Sequence, residues 1–207
     1  MFASCSRYFH FAFPFALLLW VGVLSGCSVA GMAIGAGAGT AVAASEERGL
    51  GEAISDTTIR TKINYELLDK DLGLFRRVST SVHEGRVLLM GIVPTDDAMT
   101  SAVKITWQVE GVREVINEMR VAPDTEFTDS VRDSWITAKL RTRIMLDKQV
   151  DAINYSIETI DRVIYLLGIA QNQEELDRVI RTARDIEYVE KIVSHVLLKN
   201  DPRRKAT

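Results

Sequence analysis

Cysteine and histidine are the side chains here whose chemistry is easiest to recognise, and both are scarce. The 207 residues include two cysteines, Cys5 and Cys27, and three histidines, of which His83 and His195 lie beyond the N-terminal segment. They lack the short spacings with which proteins ligate metal ions, and no serine or carboxylate stands in a pattern typical of a nucleophile with its base. We therefore expect no enzyme, no metal ion and no cofactor, with His83 as a solvated turn residue and His195 on the outer face of a sheet.

Cys27 closes an apolar segment near the N-terminus. Arg7 precedes an apolar run over 11–24. The run has the length of the hydrophobic region of an export signal and is short for a transmembrane helix, which needs about 20 apolar residues. It ends in Leu-Ser-Gly-Cys at 24–27, and this ending resembles the bacterial lipobox. In signals of that kind the thiol receives a diacylglycerol group, the chain is cut just before the cysteine, and the new amine is acylated.

The lipobox resemblance implies a lipoprotein signal peptide over 1–26, and a lipidated Cys27 that begins a Gly/Ala-rich tether over 27–54. Ser28 implies sorting to the outer membrane, because an aspartate at that place commonly signals retention in the inner membrane. An ordinary signal peptide cut elsewhere, or an uncleaved anchor with a buried cysteine, stays open as an alternative. The Gly/Ala run at 35–39 is not a phosphate loop, since no strand precedes it and no lysine follows.

A second group of residues with recognisable chemistry lies on a predicted helix over 132–147. The segment 132–148 carries five Lys or Arg residues and two aspartates, although the whole chain has a formal net charge of -3. The helix buries a stripe of Ile136, Leu140 and Ile144. Its other faces could place an indole and several cations at the headgroup boundary of a bilayer. The residues of that surface are Arg132, Trp135, Lys139, Arg143 and Leu146.

The ordinary alternative for this helix is a solvated face without a ligand, with Trp135 as a core residue that closes the end of a sheet. The second tryptophan beyond the signal segment, Trp107, is expected to be packed.

The basic helix belongs to a unit that occurs twice. When Asp56 is aligned with Asp133, 77 residues later, the apolar pattern runs through both copies without a gap. Each copy predicts a first helix, at 55–70 and 132–147, then two strands joined by a turn, a second helix and a last strand. The fold class is therefore α+β, with two tandem αββαβ units, each a three-stranded mixed sheet with two helices on one face.

The hairpins and last strands of the two copies carry matching motifs. The hairpin ends in Leu-Met-Gly-Ile-Val at 89–93 and in Leu-Leu-Gly-Ile-Ala at 166–170. The last strand opens with Gly-Val-Arg-Glu-Val-Ile-Asn at 111–117 and with Tyr-Val-Glu-Lys-Ile-Val-Ser at 188–194. With the apolar first helix, these features make each unit resemble a BON domain.

The resemblance sets the expected boundaries at 55–122 for BON domain 1 and 132–199 for BON domain 2, with a basic C-terminal tail at 200–207. Arg162 replaces the family's tight-turn glycine, and we expect it to change that turn. Tyr188 stands where the first copy has Gly111.

A lipobox followed by two BON units is similar to the dual-BON outer-membrane lipoproteins of Gram-negative bacteria. The resemblance implies a noncatalytic, lipid-anchored protein on the periplasmic face of the outer membrane, which binds anionic phospholipid through BON domain 2 and supports envelope integrity. The alternative is a periplasmic adaptor that binds other envelope proteins through open sheet edges or helix faces. Nucleic acid and small-molecule substrates are not expected as partners, because the mature chain is acidic and exported.

Overall fold

The computed structural model describes residues 49–122 and 130–204 of the chain. The predicted signal peptide, Cys27, most of the tether and the segment that joins the two copies lie outside the described residues. None of the helices in these two ranges combines the length and the apolar character that crossing a bilayer requires.

The first copy has the predicted order of elements with one addition. Its first helix begins earlier than the predicted residue 55, and a short helix, capped by the side chain of Asp71, follows it directly. The elements are α1 (Gly49–Lys70), α2 (Leu72–Arg77), β1 (Val78–His83), β2 (Arg86–Val93), α3 (Asp96–Trp107) and β3 (Glu114–Val121).

The second copy repeats this order, with a 3-10 turn in place of α2. Its first helix spans 130–146, against the predicted 132–147. The elements are α4 (Ser130–Leu146), the 3-10 turn Ala152–Asn154, β4 (Tyr155–Ile160), β5 (Val163–Ala170), α5 (Gln173–Arg184), β6 (Lys191–Leu198) and a final 3-10 turn, Pro202–Arg204.

Each copy forms a three-stranded mixed sheet, which confirms the predicted fold class. In both sheets the middle strand, β2 or β5, pairs antiparallel with the strand before it and parallel with the last strand. The helices pack on one face of each sheet. Their buried stripes, Ile59, Ile63 and Leu67 on α1 and Ile136, Leu140 and Ile144 on α4, belong to two separate cores.

The hairpin turns of the two copies have the same conformation, so the expected change of turn at Arg162 is wrong. Glu84 and Gly85 have φ values of 53° and 70°, and Asp161 and Arg162 have 50° and 62°. An arginine can adopt this left-handed conformation at some cost because the first helix holds the turn. The side chain of Asp133 accepts hydrogen bonds from both turn amides, at 2.7 and 2.9 Å, as Asp56 does in the first copy.

The two sheets stack through the faces that carry no helices. A third apolar cluster lies there, built from Leu88 and Met90 of β2 and from Val163, Tyr165 and Leu167 of β5. Tyr165 and Leu167 occupy the positions of Leu88 and Met90 in the repeat. Both sheets therefore use equivalent positions, as two subunits do in an isologous dimer.

Polar contacts border this interface. His195 Nε2 lies 2.8 Å from Glu118 Oε1, and these two residues occupy equivalent positions 77 residues apart. Arg120 pairs with Asp161 at 2.8 Å, and Arg86 donates to the carbonyl oxygen of His195 at 3.0 Å. The pseudo-twofold axis that relates the sheets therefore passes near the Glu118–His195 pair.

The structure corrects the expectations for His83 and Trp107 and agrees with the placement expected for His195. His83, expected to be solvated, is 3% exposed because the second sheet covers its face of β1. His195 does lie on the sheet face without helices, but this face is an interface. Trp107, expected to be packed, is 52% exposed, since α3 turns the neighbouring Thr106 towards the core.

The described part of the C-terminal tail, up to residue 204, contacts BON domain 1. The Arg204 guanidinium bonds both carboxylate oxygens of Glu84 in the first hairpin and the carbonyl oxygen of Lys199. Its carbonyl oxygen accepts a hydrogen bond from Arg113 at 3.3 Å. The tail therefore ties BON domain 2 to BON domain 1.

Candidate functional site

The exposed side of α4 carries all five residues singled out as a possible lipid surface. Because Ile136, Leu140 and Ile144 point into the core, the side chains at 132, 135, 139, 143 and 146 are turned outward. Trp135 is 43% exposed and Leu146 is 78% exposed. The alternative in which Trp135 is a core residue is therefore wrong, although one side of its ring is in contact with protein.

Two of these side chains, those of Arg132 and Trp135, contact a residue that was not among the predicted site residues. The ring of Tyr188 lies edge-on to Trp135, with 6.0 Å between centroids. The guanidinium carbon of Arg132 lies 5.1 Å from the centre of the Tyr188 ring, and Lys139 Nζ lies 5.9 Å from that of Trp135. Cations at these distances are attracted to the ring faces, so the four residues form one aromatic and cationic cluster.

The backbone at Tyr188 has a conformation that favours glycine. Its φ is 70°, close to the 91° of Gly111 at the same place in the first copy. A non-glycine residue in this region costs about 1–2 kcal/mol, and such costs concentrate at functional sites. The replacement of glycine by tyrosine was visible in the sequence, and it was the one signal that could have added Tyr188 to the site.

A groove of about 210 Å³ runs beside the cluster. Trp135, Lys139 and Arg143 line it from α4, and the turn after α5 supplies its other wall, which includes Asp185 and Glu187. Arg143 donates to the carbonyl oxygen of Asp185 at 3.2 Å, which fixes its guanidinium at the rim. The two acidic residues reduce the positive charge of the groove, so any attraction for an anion is moderate.

Other buried polar groups serve the fold. Glu175 accepts hydrogen bonds from the backbone amides of Asp151 and Gln171 and from the hydroxyl of Tyr155 at 3.0 Å. Burial first, and then the Glu175 carboxylate, raise the pKa of the Tyr155 hydroxyl far above its usual range. A phenol held in its neutral form in this way ties two loops to β4. Within the described residues there is no group of three or more histidine, cysteine or acidic side chains that could hold a metal ion.

Comparison with known proteins agrees with this geometry. The family model described as "BON domain" matches residues 55–123 and again 132–200. An uncharacterised protein of Anaplasma centrale, encoded in the 5' region of gshII, is 39% identical over 153 residues, which is 73% of this chain and 100% of that protein. The outer membrane lipoprotein DolP of Haemophilus influenzae is 33% identical over 171 residues, covering 82% of this chain and 87% of that one.

A third relative, the 21 kDa hemolysin of Actinobacillus pleuropneumoniae, is 27% identical over 149 residues, covering 72% of this chain and 76% of that one. The two family matches fall on the two αββαβ units, and together they span more than half of the sequence. The chain therefore belongs to the BON-domain family and carries two BON domains in tandem.

Proposed function

We propose that this chain is a noncatalytic lipoprotein of the outer membrane, anchored on its periplasmic face by lipid on Cys27, and that BON domain 2 binds anionic phospholipid through the exposed side of α4. Such binding would help to keep the envelope intact. The observation that carries the proposal is the cluster of Arg132, Trp135, Lys139 and Tyr188 on that side.

The lipid anchor rests on two supports. The lipobox-like residues at 24–27 end in Cys27, and a relative that aligns over 82% of this chain is named an outer membrane lipoprotein. Each methylene of an acyl chain contributes about 0.8 kcal/mol on entering the bilayer, and two chains are enough for stable anchoring. Labelling of the wild-type chain, but not of Cys27→Ala, with radioactive palmitate tests this part. Equal labelling of both would overturn it.

A weak headgroup contact is sufficient for an anchored protein. Each Lys or Arg near an anionic surface contributes about 1 kcal/mol. Arg132, Lys139 and Arg143 offer three cations, and Asp185 and Glu187 offset part of that attraction. The anchor compensates, because a tether raises the effective concentration of BON domain 2 at the membrane. Indole and phenol rings suit the same boundary, with an apolar body and a polar tip.

Vesicle binding by residues 28–207 tests the contact without the anchor. We expect binding to vesicles that contain phosphatidylglycerol and none to pure phosphatidylcholine, with a steep loss as salt shortens the screening length below about 8 Å. Lys139→Gln should weaken binding, while Lys62→Gln, its counterpart on α1, should leave binding unchanged. Equal binding by both variants and the wild type would remove α4 as the contact.

One observation favours a second candidate, an adaptor for another envelope protein. Tyr65, Leu68 and Leu72 are exposed apolar side chains along one side of α1 and the start of α2. An apolar contact of this kind would be little affected by salt, whereas a headgroup contact would be lost. Crosslinking that captured one stoichiometric envelope protein, without vesicle binding, would favour the adaptor.

A further inference from the structure

A cavity lies between the two BON domains, on the side of α4 away from the aromatic cluster. Its volume is about 400 Å³, which falls in the range of pockets for small organic ligands, about 300–1,000 Å³. BON domain 1 contributes the end of α2 and the edge of its sheet, and BON domain 2 contributes α4 and β4. Neither domain forms this cleft alone.

Three guanidinium groups line the cleft. Arg76 and Arg77 come from the end of α2, and Arg141 comes from α4 in the other domain. Arg141 donates one hydrogen bond, to the carbonyl oxygen of Ile157 at 3.4 Å, which orients the group and uses one of its five N–H donors. Cations that converge from two domains on one cavity suit an anionic ligand.

The number of cations distinguishes between classes of anion. One arginine can satisfy a carboxylate through two parallel hydrogen bonds, whereas a phosphate group has more oxygens and more charge to share among several arginines. The cavity of about 400 Å³ also has room for much more than a phosphate group. For scale, one water molecule takes about 30 Å³. The remaining space is lined by hydroxyl and apolar groups, among them Ser79, Thr137 and Ile92. A small phosphate ester fits this combination.

Two carboxyl groups also line the cleft, Asp133 on α4 and Glu158 on β4. The Asp133 side chain already accepts hydrogen bonds from the backbone amides of Asp161 and Arg162. The surrounding walls raise the pKa of Glu158 by desolvation, while Arg141 and Arg60 act in the opposite direction. When Glu158 is ionised it repels an anion in the cleft, so its removal should strengthen binding. If Glu158 served only to position the arginines through ion pairs, its removal would weaken anion binding instead.

We propose that the cleft between the BON domains binds the phosphate group of a small phosphate ester through Arg77 and Arg141, with Arg76 as a third cation in its lining. The site is separate from the exposed cluster of α4. Binding in the cleft therefore does not depend on whether that cluster binds lipid. The same chemistry occurs in free glycerol phosphates and in phospholipid headgroups.

Calorimetric titration of the full chain, purified in a nonionic detergent, tests the proposal with glycerol 3-phosphate, inorganic phosphate and uncharged glycerol as probes. We expect saturable binding of glycerol 3-phosphate with a Kd of about 1 mM or lower, weaker binding of phosphate, and none of glycerol. Arg141→Gln and Arg77→Gln should each weaken binding about 10-fold or more, as expected for a lost charged hydrogen bond. Arg181→Gln, on the exposed side of α5, removes the same charge elsewhere and should change nothing.

Glu158→Gln should tighten binding severalfold, and the effect should grow as the pH rises and Glu158 ionises. No saturable binding, equal weakening by Arg141→Gln and Arg181→Gln, or weaker binding by Glu158→Gln would each overturn the proposal. If Arg141→Gln unfolds, Arg77→Gln carries the test. Competition by phosphatidylglycerol vesicles that persists in the Lys139→Gln variant would identify a headgroup as the source, and its absence would identify a free ester.

Discussion

The first helices of the two BON domains have similar residues on their buried sides and different residues on their outer sides. Ile59, Ile63 and Leu67 of α1 correspond to Ile136, Leu140 and Ile144 of α4, and all six are buried. On the outer side, α1 has Ser55, Thr58, Lys62, Glu66 and Asp69 where α4 has Arg132, Trp135, Lys139, Arg143 and Leu146.

The difference teaches that packing has kept one side of the helix while the other has changed freely. A core position accepts few side chains, because a change of one methylene is felt by its neighbours. An exposed position has no such restriction, so an aromatic and cationic surface could arise in one copy without cost to the fold. The outer side is therefore where the two domains can differ in function.

The largest expected effect tests the shared side of the helices. Ile63→Ala in α1 and Leu140→Ala in α4 should each lower the free energy of unfolding by about 2–5 kcal/mol, because both side chains are fully buried in their own core and their truncation leaves a cavity. Urea denaturation measures this. A large loss in one domain and almost none in the other would contradict the equivalence of the two cores.

The next effect concerns the aspartates that hold the hairpin turns. Asp56→Ala and Asp133→Ala should each cost about 1–3 kcal/mol, since two turn amides lose a buried acceptor. We expect the larger loss for Asp133→Ala, because its turn holds Arg162 in a conformation that suits Gly85 better. Equal losses, measured by urea denaturation, would mean that the arginine carries no strain.

A smaller effect on stability, but a decisive one on function, comes from exchanging the outer sides. Arg132→Ser, Trp135→Thr and Arg143→Glu together give α4 the residues of α1 at these three positions. With about 1 kcal/mol for each of the two lost cations, binding to phosphatidylglycerol vesicles should weaken about 30-fold or more at unchanged fold. Circular dichroism checks the fold. Retained binding would place the lipid contact elsewhere, and Lys62→Gln serves as the control in BON domain 1.

The smallest effect has two parts of opposite sign. Tyr188→Gly should raise the free energy of unfolding by up to about 1 kcal/mol, because it removes the cost of a left-handed tyrosine. The same change should weaken vesicle binding, because Arg132 and Trp135 lose the ring they contact. Gly111→Ala is the reciprocal change. It should destabilise BON domain 1, where a Cβ atom would also lie 2.9 Å from Ile59 Cδ1. A stabilised variant with unchanged vesicle binding would separate Tyr188 from the site.

The predictions that succeeded depend on short-range patterns. Helical spacing identified the buried stripe of α4, and the same spacing then placed Trp135 and Lys139 outside. Alternation and turn residues identified the strands, and the repeat confirmed each element twice. These signals are local, so one chain is enough to show them.

The features that were missed depend on contacts between distant parts of the chain. His83 was expected to be a solvated turn residue, yet His83 and the nearby Arg86 are both buried. Arg86 is satisfied there by Glu114 at 2.6 Å and by the carbonyl oxygen of His195. The position of Tyr188 beside Trp135 likewise follows from how α5 and its turn pack on α4, which periodicity does not encode.

The contact between Glu118 and His195 bears on the history of the molecule. In a dimer of two identical single-domain chains, residues at equivalent positions near the twofold axis are identical, so an acid there would face an acid. Joining the two copies in one gene allows the positions to mutate independently. A carboxylate can then face an imidazole, and the contact favours the association of BON domain 1 with BON domain 2 over the association of two identical domains. Duplication thus removed a symmetry constraint and gave each domain a surface that suits the other.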